Sequence, residues 1–205
     1  MKKIKLIVGI TGGSGVGKTT LINKLYNEFP GKITTLSLDN YYKPKKEQYL
    51  DENGVTNFDL PTALDTDQLK KDLDTLMKNE EVKQKVYTFN NPDRENQYLS
   101  IKPNEILIVE GLFVMHYPFV KSKLDYAVYL SVDREKQLAR RLKRDVQERN
   151  YSEESVMYQW FNHVIPSYDQ FVKPYKAESN LIITNNADFD NNIDVLSQVI
   201  HEKID

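Results

Sequence analysis

The chain predicts an α/β fold in which a parallel β-sheet is flanked by helices on both faces, and three observations carry that expectation. Apolar and β-branched runs recur at residues 5–10, 33–38, 106–109, 126–130 and 181–184, with helix-like segments between most of them. The run ILIVEG is almost continuously apolar, as a central strand is when both faces are buried. The first run also passes straight into the glycine-rich stretch GGSGVGKTT, a strand-to-helix turn. At 205 residues the chain fits one domain, which should bury about 70 % of its unfolded surface.

Taken in order, the opening MKKIKLIVGI superficially imitates a leader. Its apolar run is short, contains Lys5 and meets no small-residue cleavage pattern, so it reads as a first strand. The second run ends in LSLDNYYKPKK, where Asp39 and Asn40 are ordinary turn residues. From about residue 40 to residue 104 the pattern loosens into Asn, Asp, Pro and Tyr, with a helix over 65–78 capped at Asp65 and a short β-like piece at 85–89. Site-specific chemistry is expected in this insertion. Residues 133–149 carry an apolar stripe at Leu138, Leu142 and Val146, four apart, flanked by Arg140, Arg141, Arg144 and Arg149. This reads as an amphipathic helix with a basic edge, opening a basic lid over about 140–160.

Composition narrows the function classes. A formal charge of −2, from 28 Lys plus Arg against 30 Asp plus Glu, offers no overall positive field to a nucleic acid or an anionic membrane. The absence of cysteine excludes disulfides, Cys-ligated zinc and a thiol nucleophile, and suits a reducing cytosol. With no run of about 18 apolar residues, nothing is expected to span a membrane, and a cytoplasmic location is expected.

Gly12, Gly17, Lys18 and Thr19 satisfy G-x-x-x-x-G-K-[ST] between strand and helix. An accidental match in a chain of this length has a chance of about one in a hundred. The loop, with Gly13, Ser14, Gly15 and Val16 between and Thr20 after it, would cradle phosphate oxygens on backbone N–H groups. Lys18 would reach the β- and γ-phosphates and the Thr19 hydroxyl would help hold Mg²⁺. The fold class sharpens to a P-loop NTPase-like sheet. A GTPase switch is disfavoured because the one Asn-Lys pair, Asn23-Lys24, lies in the first helix, and the D-x-x-G at 51–54 has no strand ahead of it. Glu110 follows an apolar run and could support Mg²⁺ and its waters, in a motor ATPase or in a small-molecule kinase. Asp39 ends the second strand on the sheet edge where ligands of open parallel sheets bind. It could accept a hydroxyl proton there, and the residues alone leave the turn role and the base role both open.

Several segments together resemble the uridine-cytidine kinase family: GGSGVGKTT, LDNYYK, NFDLPTALD, VYTFNN, VEGLF, RRLKRDVQERN and VIPSYDQFVKPYK. They stand in that family's order and cover nearly the whole chain, and NFDLPTALD is the most specific. The resemblance implies transfer of the γ-phosphate of ATP (or GTP) to the 5′-hydroxyl of uridine or cytidine, in pyrimidine salvage, by a homotetramer. It implies Asp39 as general base and Mg²⁺ ligand, Lys18 as catalytic cation, and Thr19 with Glu110 serving Mg²⁺. Tyr42, Asp59, Tyr87, Arg144 and Gln159 would bind the nucleoside, Asp59 through the ribose hydroxyls, while Arg141 and Arg149 would neutralise triphosphate charge.

Two departures fall at the base and the lid. Where the family has Y-D-F followed by a His and an Arg, this chain has Thr88, Phe89, Pro92 and Arg94. Where the family lid ends R-G-R-D, this chain has Arg149, Asn150, Tyr151 and Ser152. The alternatives are therefore a kinase for another small alcohol, such as nicotinamide riboside, a sugar or a pantothenate-like compound, and an ATP-binding regulator that is no kinase. His163, beside Trp160 and Phe161, reads as a packing residue.

Overall fold

The computed structural model describes residues 3–89, 97–189 and 191–204; Pro92 and Arg94 lie outside them. Strand β1 (Leu6–Thr11) leads through the glycine loop into α1 (Lys18–Glu28) and then β2 (Ile33–Ser37). A 3₁₀ turn, Leu38–Tyr41, leaves the sheet for an excursion holding β3 (Tyr49–Leu50), β4 (Thr56–Asn57), α2 (Thr66–Met77), β5 (Val82–Lys85) and β6 (Tyr98–Ile101). The chain returns in β7 (Ile106–Gly111), then α3 (Pro118–Lys121), β8 (Tyr126–Ser131) and α4 (Arg134–Arg149). A continuous helical path follows, made of α5 (Glu153–Gln159), a π-turn at Trp160–Val164, α6 (Ile165–Ser167) and a second π-turn at Tyr168–Val172, before β9 (Leu181–Thr184) and α7 (Asn192–Ile204).

The five long strands form one parallel sheet in the order β2-β7-β1-β8-β9. Alternation along the strands divides the core in two. Leu6, Val8 and Ile10 of β1, with Ile106 and Ile108 of β7, face α1 and α7 through Leu21, Leu25, Leu196 and Ile200. Ile7, Leu107 and Val109 point to the other side, against Leu69, Leu73 and Leu76 of α2. The predicted α/β sheet with helices on both faces is thus the observed one. Because β7 lies between β1 and β2, Glu110 stands in register with Ile10 on one side and Ser37 on the other. Glu110, the glycine loop and the turn after β2 therefore share the carboxyl edge of the sheet.

Local sequence reading needs correction at three places. A short strand, β3, does stand ahead of the D-x-x-G at 51–54, but it pairs only with β4, outside the main parallel sheet. The β-like piece expected at 85–89 is a strand at Val82–Lys85, antiparallel to Tyr98–Ile101. Val82 and Gln84 are buried while Lys83 and Lys85 face water, so the alternation begins earlier than the aromatic residues suggest. The helix over 133–149 forms as expected, but its apolar stripe is not its buried face. Leu138 and Leu142 are half-buried and Val146 is 41 % exposed, whereas Gln137, Arg141 and Asp145 turn inward. The most buried face of the helix is polar, with Leu138 and Leu142 only half covered, because what that face packs against includes the polar phosphate loop.

Candidate active site

The glycine loop owes its shape to residues that tolerate left-handed backbone. Gly12 has φ 152° and Gly17 φ 102°, and a Cβ on Gly12 would stand 2.5 Å from the backbone oxygen of Leu130. Val16 is buried as a plug under the loop, and the Asn185 side chain donates to its carbonyl at 2.8 Å. From above, α4 braces the loop: Gln137 Nε2 donates to Ser14 O at 2.7 Å and Arg144 Nη2 to Ser14 Oγ at 3.0 Å. Lys18, the first residue of α1, bends back so that Nζ donates to Gly12 O at 3.2 Å and Gly13 O at 3.4 Å. The loop's amides, the α1 N-terminus and Lys18 converge as a phosphate site does.

Across from the loop stand two acids. Ser37 Oγ donates to Glu110 Oε1, and burial, reinforced by the charge of Asp39, lifts the Glu110 carboxyl to about 7 against the opposing pull of Lys18 and Ser37. A bound cation would favour the ionised form of a carboxyl held this way, which shares its cavity with the Asp39 carboxylate and with Thr19. The donor set is hard oxygen, too small to cage a metal unaided, and among the described residues no group of three or more His, Cys, Asp or Glu could do so. Mg²⁺ bound through one or two carboxylates and the substrate's own phosphates needs no more. Thr19, Glu110 and Asp39 fit that ion.

On the far side the excursion supplies a wall of rings. Tyr42, Phe58 and Phe89 pack edge to face, with centroids 5.9 Å apart for Tyr42–Phe58 and 5.2 Å for Tyr42–Phe89. Arg149 lies over the Phe89 ring at 4.0 Å from its centroid. Burial, then the charges of Asp39 and Asp59, push the Tyr42 phenol well above its ordinary value, keeping it a neutral hydrogen-bonding wall. Asp59 is buried beside it, its backbone N–H held by Asn57 Oδ1 at 2.9 Å and its carbonyl by Ser167 Oγ. Arg141 donates to Gln159 Oε1 at 3.1 Å and sits 3.9 Å from Asp59.

These groups line one cavity of about 320 Å³, within the usual span of small-molecule sites. Ser14, Gly15, Gly17, Lys18, Thr19, Thr20, Asp39, Tyr42, Asp59, Glu110, Arg141, Arg144, Arg149 and Gln159 all face it, and Gly12, Gly13 and Val16 form the back of the loop. Tyr87 stands behind the wall, 4.8 Å from Phe89 and 5.4 Å from Tyr42, its phenol pushed up to about 12 by burial and then by Tyr151. Phe58, Phe89, Arg140, Asp145 and Tyr151 also line the cavity, although sequence reasoning gave none of them a role there. A signal existed for some of them: Gln137, Arg141 and Asp145 repeat every four residues, a polar helix face as regular as an apolar one.

A loop for a triphosphate, two acids at the sheet edge and an adjoining walled pocket with room for a small acceptor are the parts of an ATP-dependent phosphotransferase, not of a switch, which needs no acceptor pocket. The chain belongs to the phosphoribulokinase/uridine kinase family, whose model matches residues 7–191. It is 33 % identical over 201 residues to a uridine kinase of Limosilactobacillus reuteri, covering 98 % of this chain and 92 % of that one. It is 34 % identical over 203 residues to a uridine kinase of Staphylococcus aureus, covering 98 % of each. In fold it is similar to a solved structure described as a possible uridine kinase from Bacillus stearothermophilus, at TM-score 0.64 and 15 % identity over 89 % of this chain and 90 % of that one. It is also similar to phosphoribulokinase from Rhodobacter spheroides, at TM-score 0.60 and 10 % identity over 90 % and 71 %. The expected resemblance is borne out: the chain is a uridine kinase-like, ATP-dependent phosphotransferase.

Proposed function

We propose that the acceptor is a pyrimidine ribonucleoside, uridine or cytidine, phosphorylated at its 5′-hydroxyl to UMP or CMP. The observation that carries this reading is the ring wall of Tyr42, Phe58 and Phe89 beside the buried Asp59, facing the phosphate loop across one cavity. A flat heterocycle stacks on rings, and an ionised carboxylate accepts from two ribose hydroxyls at once.

In this reading Asp39 takes the proton of the 5′-hydroxyl as the oxygen attacks the γ-phosphorus, and Lys18 follows the β- and γ-phosphates with its charge. Arg144 and Arg149 draw charge off the transferring group, while Arg141, Gln159 and Tyr87 complete the acceptor pocket, Tyr87 through Phe89. Arg144 and Arg141 thus exchange the sides expected of them from the sequence, since Arg144 reaches Ser14 of the phosphate loop and Arg141 reaches Gln159 beside Asp59. Thr19, Glu110 and Asp39 would hold Mg²⁺, which would supply charge neutralisation at the phosphates. Residues 40–104 act as the acceptor-binding insertion and residues 140–160 as a lid within one kinase domain. A cytoplasmic homotetramer serving pyrimidine salvage is the matching assembly; among the described residues no helix is long and apolar enough to cross a membrane.

A second reading rests on Thr88, which stands where the family places an aspartate beside the base. Its acceptor is another ribosyl heterocycle, such as nicotinamide riboside, that the same ring wall would stack. ADP release measured over a panel of nucleosides and small alcohols decides. Release dependent on uridine or cytidine, reduced about 10³-fold in Asp39→Asn with ATP binding kept, is the expected result. Dependence on nicotinamide riboside alone selects the second reading, and dependence on no acceptor leaves an ATP-binding regulator.

A further inference from the structure

Asp145 is the most deeply buried acid of the cavity, 1 % exposed, and sits in the middle of the inward face of α4. Three guanidinium groups converge on it. Arg144 Nε donates to Oδ1 at 2.7 Å, Arg141 Nε ion-pairs with Oδ2 at 3.2 Å, and Arg149 Nη1 ion-pairs with Oδ1 at 3.3 Å. A guanidinium is a rigid planar fork of five N–H donors, so the Nε–H bond of Arg144 fixes where its Nη edge points, while Arg141 and Arg149 are held to the same carboxylate by charge.

The three guanidinium groups reach three different parts of the site. Arg144 Nη2 reaches Ser14 Oγ on the phosphate loop at 3.0 Å. Arg141 Nη2 reaches Gln159 at 3.1 Å, and its Nη1 lies 3.9 Å from Asp59, on the acceptor side. Arg149 lies over Phe89 in the ring wall. Like charges this close repel, and burial followed by the charge of Arg144 depresses the Arg149 guanidinium while Asp145 works the other way.

We propose that Asp145 is the positioning residue of the reaction: one buried carboxylate that sets Arg144 on the donor phosphates and Arg141 on the acceptor, and so fixes the distance between the two reactants. The inference rests on the reading that this cavity joins ATP to a nucleoside. Asp145 borders the cavity but, at 1 % exposed, offers almost no surface to a reactant. Its action is through the arginines, and displacing a reacting group by about 1 Å costs about 10²-fold in rate. The affinity of each substrate depends less on that distance, because the phosphate loop and the ring wall bind separately. A carboxylate that served only to hold α4 together would leave kcat per folded molecule unchanged.

The test uses the full chain with Asp145→Asn, which keeps the shape and removes the charge, and Asp145→Glu, which keeps the charge and moves it by one methylene. Steady-state kinetics should give a kcat lower by about 10²-fold for Asp145→Asn, normalised to active sites by ATP-binding stoichiometry, with both KM values within about threefold of the parent. Asp145→Glu should fall between the two. An unchanged kcat per ATP-binding site, or a loss wholly accounted for by unfolded protein, overturns the proposal. A second readout needs no acceptor. The Nε–H proton of Arg144, held by Asp145, should give a resolved NMR signal in slow exchange with water that disappears in Asp145→Asn. If the parent protein lacks such a signal, the proposal fails even with nucleoside turnover intact. If the signal behaves as expected but no nucleoside is turned over, the nucleoside reading fails and the hold of Asp145 on Arg144 stands.

Discussion

Phe89 presents its ring to the cavity and carries Arg149 on one face, while Tyr87, two residues earlier, turns behind it and supports it. Stacking of a base on such a ring is worth about 1–3 kcal/mol by truncation. Phe89→Ala should therefore raise the acceptor KM roughly tenfold, with the ATP KM within about twofold, in initial-rate measurements over both substrates. Tyr87→Phe, which keeps the supporting ring, should change the acceptor KM far less; equal effects would place the base on Tyr87. At this scale the sequence was most readable where chemistry demands a fixed string. Lys18 and Thr19 follow from the loop, and Asp39 and Glu110 from their places at strand ends. Asp145 and Phe89 were not readable that way, since a buried acid among arginines and a ring among rings take their roles from what folds against them.

The 3₁₀ turn Leu38–Tyr41 holds Asp39 at the site, and its other end is tied down by Tyr41, whose hydroxyl donates to Asp72 of α2 at 2.8 Å. Asp72 also accepts from Gln68 Nε2 at 2.7 Å, and α2 is itself capped where Asp65 accepts from the Gln68 N–H at 3.0 Å. The Asp65 cap was legible from an acid just before a helical pattern. The Tyr41–Asp72 bond was not, because it joins residues 31 apart in the chain. Tyr41→Phe leaves a buried carboxylate oxygen without its donor, and should cost about 1–3 kcal/mol in urea unfolding. Because the same turn carries Asp39, kcat should fall with it, whereas Asp65→Ala should cost about 1 kcal/mol and leave kcat unchanged. Helix α4 teaches the complementary lesson. Its period of four was visible, but apolar residues mark the buried side only when the neighbour is a hydrophobic core, and here the neighbour is a phosphate loop.

Across the whole molecule, the sheet fixes one half of the site and the excursion brings the other, so something must hold the excursion in place. Part of that task falls to Asp51, in the turn between β3 and β4. Its Oδ1 accepts from the Asn53 and Val55 N–H groups, and its Oδ2 from the Tyr158 hydroxyl at 2.8 Å and lies 2.7 Å from His163 Nε2. Tyr158 and His163 belong to the helical path that also carries Gln159, so the segment bearing Phe58 and Asp59 is joined to the segment bearing the partner of Arg141. The packing expected for His163, 2 % exposed, is thus packing with a polar purpose. Withdrawal from water raises the Asp51 carboxyl, but the bonds from Val55, His163, Tyr158 and Asn53 together outweigh it and hold it down to about 2. A carboxyl depressed in the folded state stabilises the fold above its unfolded value, near 4, and loses that contribution as pH falls from about 4 toward 2. Urea midpoints for the parent and Asp51→Asn should differ clearly at neutral pH and converge as the pH is lowered from 4 to 2. In kinetics at neutral pH, Asp51→Asn should raise the acceptor KM and spare the ATP KM, since the tie holds the acceptor half alone. A stability gap that stays constant through the acid range would mean that Asp51 acts through the shape of its turn and not through its charge.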